Sequence, residues 1–97
     1  MTIIGMLPIG TVVLLKESTK RLMISGVAQY SVREDGSKKL YDYVGVVFPE
    51  GYLSAEENYL FNQDQIEKVY FIGLQDGESM TFCKNAEETL EKLRMVE

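Results

Sequence analysis

Side chains that donate, accept or attack at neutral pH are scarce in this chain. Its 97 residues include no histidine, one cysteine, 15 Asp+Glu and 10 Lys+Arg. Without imidazole there is no Ser-His-Asp or Cys-His nucleophile and no histidine metal ligand. Cys83 alone forms neither an internal disulfide nor a thiolate cluster, which fits a reducing compartment. No base or cation pair stands near it in sequence, so it is expected to act as a small apolar side chain. Carboxylates are what remains. Glu56-Glu57 and Glu87-Glu88 are adjacent pairs, which point in different directions on a strand or helix and suit a solvated face. Asp42 alternates in step with Val44 and Val46, as a buried, hydrogen-bonded acid would. Paired with Glu50, it is the one place where a carboxylate-only enzyme can be imagined. Gly36-Ser37-Lys38-Lys39 lacks the glycine spacing of a phosphate loop, and Asp35-Gly36 and Asp76-Gly77 lack the alternating acids of a calcium loop. The residues predict a non-enzymatic protein with no catalytic residues, no cofactor and no metal.

Charge and aromatics point toward protein surfaces. A net charge of −5 opposes general nucleic-acid binding, which needs a basic face. Lys20-Arg21 and Lys38-Lys39 are isolated pairs that read as solvated turns. Six Tyr and four Phe occur without Trp, concentrated between Tyr41 and Phe82. Tyr41 and Tyr43 fall on one strand face, and Tyr52, Tyr59 and Phe61 follow Pro49-Glu50-Gly51. Two readings stay open for them. They fill or rim a small core, or they form a tyrosine-rich recognition surface, for which tyrosine is well suited. On the second reading the partner-binding residues are Tyr41, Tyr43, Tyr52, Tyr59 and Phe61.

The elements that must carry these groups are mostly β. Hydrophobic (45%) and charged (26%) fractions are those of an ordinary globular chain, and the length suits one domain over residues 1–97. Leu7-Pro8-Ile9-Gly10 is a turn leading into the β-branched run Gly10–Leu15. Arg21–Val32 alternates, with Leu22, Ile24, Gly26, Ala28, Tyr30 and Val32 on one face, and Gly26 marks a bend or close approach. Arg33–Ser37 is a polar tip around Asp35-Gly36, and Leu40–Phe48 returns as the second arm of a long, bent hairpin. A loop then runs to Asn58. Asn62 with Gln65 gives the capping-box pattern of a single helical turn, and Val69–Ile72 resumes β character before a turn at Asp76-Gly77. Asn85 with Glu88 repeats the cap pattern at the start of a C-terminal helix. There Ala86, Leu90, Leu93 and Glu97 are spaced for one face, Leu90 and Leu93 point inward, and Glu87, Glu91, Lys92 and Arg94 face water. The core is expected to join Leu22, Ile24, Val44, Val46, Leu90 and Leu93. The predicted fold class is α+β, mostly β: a small curved antiparallel sheet or SH3-like barrel of four or five strands, with a short helical turn and a C-terminal helix. The first basic residue is Lys16 and the longest apolar stretch, Met6–Leu15, is broken by Pro8, Gly10 and Thr11. No secretory leader or membrane insertion is therefore expected, and the chain is placed in the cytoplasm.

Five blocks in order resemble the signature of a known family: Leu7–Leu15, Lys20–Ile24, Tyr41–Val46, Phe48–Gly51 and Asn58–Asn62. It is a family of small proteins of Gram-positive bacteria, catalogued as a domain of unknown function and encoded beside LXG-domain toxins of the type VII secretion system. The likeness spans nearly the whole chain and is weakest at the tip Arg33–Lys39 and in the last helix. It implies a cytoplasmic targeting factor or chaperone that binds the N-terminal helical region of a cognate LXG toxin, together with other small secretion accessory proteins. It leaves open a homo-oligomer, and an immunity protein for a neighbouring toxin is the alternative.

Overall fold

The computed structural model describes residues 5–96. Its strands are β1 (Val12–Leu15), β2 (Leu22–Val32), β3 (Lys38–Val47), β4 (Asn58–Phe61) and β5 (Ile66–Phe71), and its helix is α1 (Gly77–Met95). Single 3-10 turns stand at Ala55–Glu57 and Gln63–Gln65. The strands form one antiparallel sheet in the order β4-β3-β2-β1-β5. β4 and β5 are its two edges, so the sheet is open and the closed-barrel alternative falls away. Among the described residues no helix is long and apolar enough to cross a membrane.

The hairpin β2–β3 forms as its turn chemistry dictates. Gly36 takes φ +86° at the tip, where a Cβ would be strained, and Asp35 Oδ1 accepts from the Ser37 amide at 2.9 Å. β4 begins where the expected loop ends and was not assigned from sequence; Asn58–Phe61 is only four residues long and pairs with Tyr43–Val46. The turn after it closes as expected, with the Asn62 amide donating to Gln65 Oε1 at 2.8 Å.

Two sequence assignments of face are corrected. In β2 the pairing shifts by one residue between Ile24 and Gly26, which leaves Ser25 as a bulge. A bulge reverses the alternation beyond it, so Val27, not Gly26 or Ala28, packs against the core of Leu22 and Ile24. In β3 the core face is that of Tyr43, Gly45 and Val47. Val44 and Val46 lie on the opposite face, because both faces of this strand are apolar and alternation alone does not say which is inward. The core is Leu7, Val13, Leu22, Ile24, Tyr43, Phe61 and Ile66, flanked by Met6, Leu15, Val27, Val47 and Val69.

The helix begins nine residues earlier than its Asn85 cap pattern suggests. Asp76 is the cap: its Oδ1 accepts from the Ser79 amide at 2.8 Å. Asn85 sits mid-helix, where its carbonyl accepts from Thr89 Oγ1. α1 covers the Tyr43 face. Leu90 is buried and Leu93 half-buried, whereas Glu97 lies outside the described residues. Glu87 and Arg94, expected to face water, are engaged instead: Glu87 accepts from the Met6 amide of the N-terminal segment and Arg94 pairs with Asp42 of β3 at 2.8 Å. Leu90→Ala is expected to cost about 2–5 kcal/mol, and Leu93→Ala less. Thermal denaturation of the two variants checks this, and a Leu90→Ala chain that melts like the parent would mean the helix does not dock.

Candidate functional site

The five aromatics named from sequence do not form one surface. Tyr43 and Phe61 are 0% exposed, paired directly across β3 and β4, with ring centres 5.4 Å apart. They are core and cannot be partner contacts. Tyr52 and Tyr59 are exposed and Tyr41 is half-buried beneath Lys39 Nζ, 5.1 Å from its ring centre.

The Tyr43 hydroxyl anchors the polar junction between sheet, N-terminal segment and helix. It accepts from the Leu7 amide at 2.9 Å and bonds to Gln63 Oε1, while Gln63 Nε2 donates to the Gly5 carbonyl at 2.9 Å. Asp42 beside it is buried as anticipated. One carboxylate oxygen accepts from the Gln63 amide at 2.7 Å and the other pairs with Arg94, while the Asp42 amide donates to Asn62 Oδ1 at 2.9 Å. Burial pushes the Tyr43 phenol up to about 12, with the Leu7 amide pulling the other way. Every polar group of this junction is engaged in holding the chain together. Glu50, the other acid considered for chemistry, is held by Lys20 at 2.6 Å in the turn after β3. Its carboxyl is lowered first by the Lys20 hydrogen bond. The two acids thus answer to different cations and are not assembled as an acid–base pair.

The opposite face of the sheet is different in kind. A row of paired residues crosses all five strands there: Asn58, Val46, Met23, Val12 and Phe71. The α-helix lies on the other side, so no helix among the described residues covers it. β5 carries an extra residue, Tyr70, where its pairing with Val12 and Val13 shifts. That bulge re-aims the strand end, and both Tyr70 and Phe71 line a cleft of about 490 Å³ with Gly10, Val12, Arg21, Met23 and Phe48. Phe71 is 62% exposed and Tyr70 47%, a large apolar area for a strand end to leave in water. Sequence reasoning missed this cleft because its residues come from β1, β2, β5 and the turn after β3. The signal available was Val69–Ile72, an aromatic β run followed directly by Gly73 and a helix cap.

A family model described as a domain of unknown function, DUF4176, matches residues 6–82. The chain belongs to that family. No curated protein and no solved structure matches it. The DUF4176 match takes in all five strands, both faces of the sheet and the cleft, and ends in the second turn of α1.

Cys83, the next residue, is buried on that helix beside Met6 and Pro8 of the N-terminal segment. Burial, and then the charge of Glu87, push its thiol up, so thiolate is scarce near neutral pH. Iodoacetamide at pH 8 should alkylate the folded chain much more slowly than the urea-unfolded chain. Equal rates would expose a reactive thiol that this packing does not explain.

Proposed function

We propose that this chain is a non-enzymatic accessory protein: a cytoplasmic targeting factor or chaperone that binds the N-terminal helical region of a cognate LXG-domain toxin and delivers it to type VII secretion. The reading rests on the five-block resemblance for the partner. For the means, the observation that carries it is the apolar cleft on the uncovered sheet face. An amphipathic helix buries its apolar stripe in such grooves. With Tyr43 and Phe61 in the core, the contact surface moves from the tyrosine cluster to the row around Met23, Phe48 and Phe71, and the exposed Tyr52 and Tyr59 remain candidates for its rim.

The test is co-purification of the tagged chain with separately expressed N-terminal and C-terminal halves of the neighbouring toxin. Retention of the N-terminal half, and loss of toxin secretion from a strain lacking this gene, are the expected results. Retention of the C-terminal half with protection of cells from the toxin would replace this reading with the immunity one. Failure of both halves to bind, or normal secretion without the gene, would remove the accessory role.

A further inference from the structure

The cleft on the open face holds a cation with no acid to match it. Arg21 stands just before β2, its guanidinium carbon 5.1 Å from the Phe48 ring centre and 5.8 Å from that of Tyr70. Lys68 on β5 places its ammonium 4.7 Å from the same Tyr70 ring centre. Glu50, the acid whose charge reaches Arg21, has both oxygens taken by Lys20 Nζ, at 2.6 and 2.8 Å. Among the described residues neither Arg21 nor Lys68 makes an ion pair. Stacking on a ring face orients a guanidinium without neutralising it, and its five N–H donors keep the fork geometry that matches a carboxylate. In a chain of net charge −5, the unpaired Arg21 lines a cleft floored by Val12, Met23 and Phe71, and a second unpaired cation, Lys68, stands against its Tyr70 wall.

The strands beneath constrain what can sit there. β1 and β2 are interior to the sheet, and at the cleft floor Val12 and Met23 each have a strand partner on both sides. An extended segment lying on this face would find no backbone partners, so the occupant must satisfy its own hydrogen bonds, as a helix does.

We propose that the cleft docks an acidic amphipathic helix of a protein partner, one that presents a carboxylate beside an aromatic or branched aliphatic side chain. The apolar side chain enters between Phe48 and Phe71, and Arg21 receives the carboxylate, with Lys68 adding a second positive charge. This rests on reading the open face as a protein-binding surface, and it adds the residue chemistry that the surface selects, whichever protein supplies it.

The experiment is selection from a phage-displayed library of helical peptides, randomised at positions i, i+3, i+4 and i+7, on the immobilised chain and on Arg21→Glu. The parent should enrich Asp or Glu next to Phe, Leu or Trp, and Arg21→Glu should enrich Lys or Arg in place of the acid. A selected peptide should bind the parent about tenfold or more tighter than its Glu→Gln analogue, as expected when a hydrogen bond to a charged group is lost. The fluorescence of a Trp in the peptide reads this directly, since the chain has none. Arg21→Gln should abolish the difference, and Lys92→Gln, a helix cation away from the cleft, should preserve it. Melting curves of each variant exclude unfolding as the cause. The proposal is overturned if acids are not enriched, if Arg21→Glu selects the same peptides, or if no peptide is selected. It is equally overturned if the cleft instead binds phosphatidylglycerol vesicles or a second copy of the chain, read by flotation and by sedimentation. No toxin segment enters the selection. Acidic peptides selected by a chain that retains neither toxin half would leave this inference standing and remove only the toxin as partner.

Discussion

Tyr43→Ala is expected to cost about 3–5 kcal/mol of folding stability, a large share of the roughly 5–15 kcal/mol that a domain has. The ring is fully buried against Phe61, and its hydroxyl is the partner of the Leu7 amide. Tyr43→Phe keeps the packing and orphans that amide, for a smaller loss of about 1–3 kcal/mol. Tyr59→Ala, on an exposed side chain of edge strand β4, should leave stability within about half a kcal/mol. Urea denaturation of the three variants ranks them, and a Tyr43→Ala chain as stable as Tyr59→Ala would return Tyr43 to the surface. The same burial gives a pH signature. The folded phenol sits at about 12 against roughly 10 in the unfolded chain. Between those values the folded state holds the proton and the unfolded state does not. The stability contributed by Tyr43 is therefore complete below about pH 10 and is lost as pH rises toward 12. Absorbance at 295 nm should show a late tyrosinate step that Tyr43→Phe lacks.

The second large effect is expected at Gly73, between β5 and α1. A Cβ there would lie 2.1 Å from the Ile9 carbonyl oxygen and 3.1 Å from the Thr11 nitrogen, both backbone atoms that cannot swing aside. The Gly73 amide also donates to Thr11 Oγ1 at 3.0 Å, and Thr11 is wholly buried. Gly73→Ala must push the two segments apart and break that bond, for a loss of about 3 kcal/mol or more. Gly77→Ala is the control. Nothing stands within 4 Å of its added methyl, and alanine is the better helix former, so it should be neutral or slightly stabilising. A Gly73→Ala midpoint in urea no lower than that of Gly77→Ala would mean the close approach is not what holds β1 to the helix linker.

What could be read from sequence was whatever local chemistry decides. The hairpin follows from Asp35-Gly36 between two alternating runs, and the short turn from Asn62 and Gln65. The α+β architecture, mostly β with a C-terminal helix, was legible for the same reason, whereas the choice between open sheet and barrel was not. Facing was not legible. Gly26 marked a bend or close approach but not the extra residue beside it, Ser25, whose bulge exchanges the two sides of β2 beyond it. Val44 and Val46 look as apolar as Tyr43 and Val47, yet only the latter pair faces the helix. At the helix start, Asp76-Gly77 read as a turn and Asn85 as the cap, whereas Asp76 itself caps the helix through the Ser79 amide. The cleft was beyond reach because Arg21, Phe48 and Tyr70 meet only once β1 has paired with β5.

The Met6 amide bonds to Glu87, 81 residues further on, and this separation bears on synthesis. β2 and β3 can pair while the ribosome is still at work, but β1 lies between β2 and β5 and waits for Ile66–Phe71 to emerge. The Tyr43 face waits longer, for the 19 residues of α1, which at about 5–20 residues per second take roughly one to four seconds to translate. During that interval Ile24, Tyr43 and Phe61 have only the sheet and Leu7 to pack against. The nascent chain therefore passes through a stage at which its core is only partly covered.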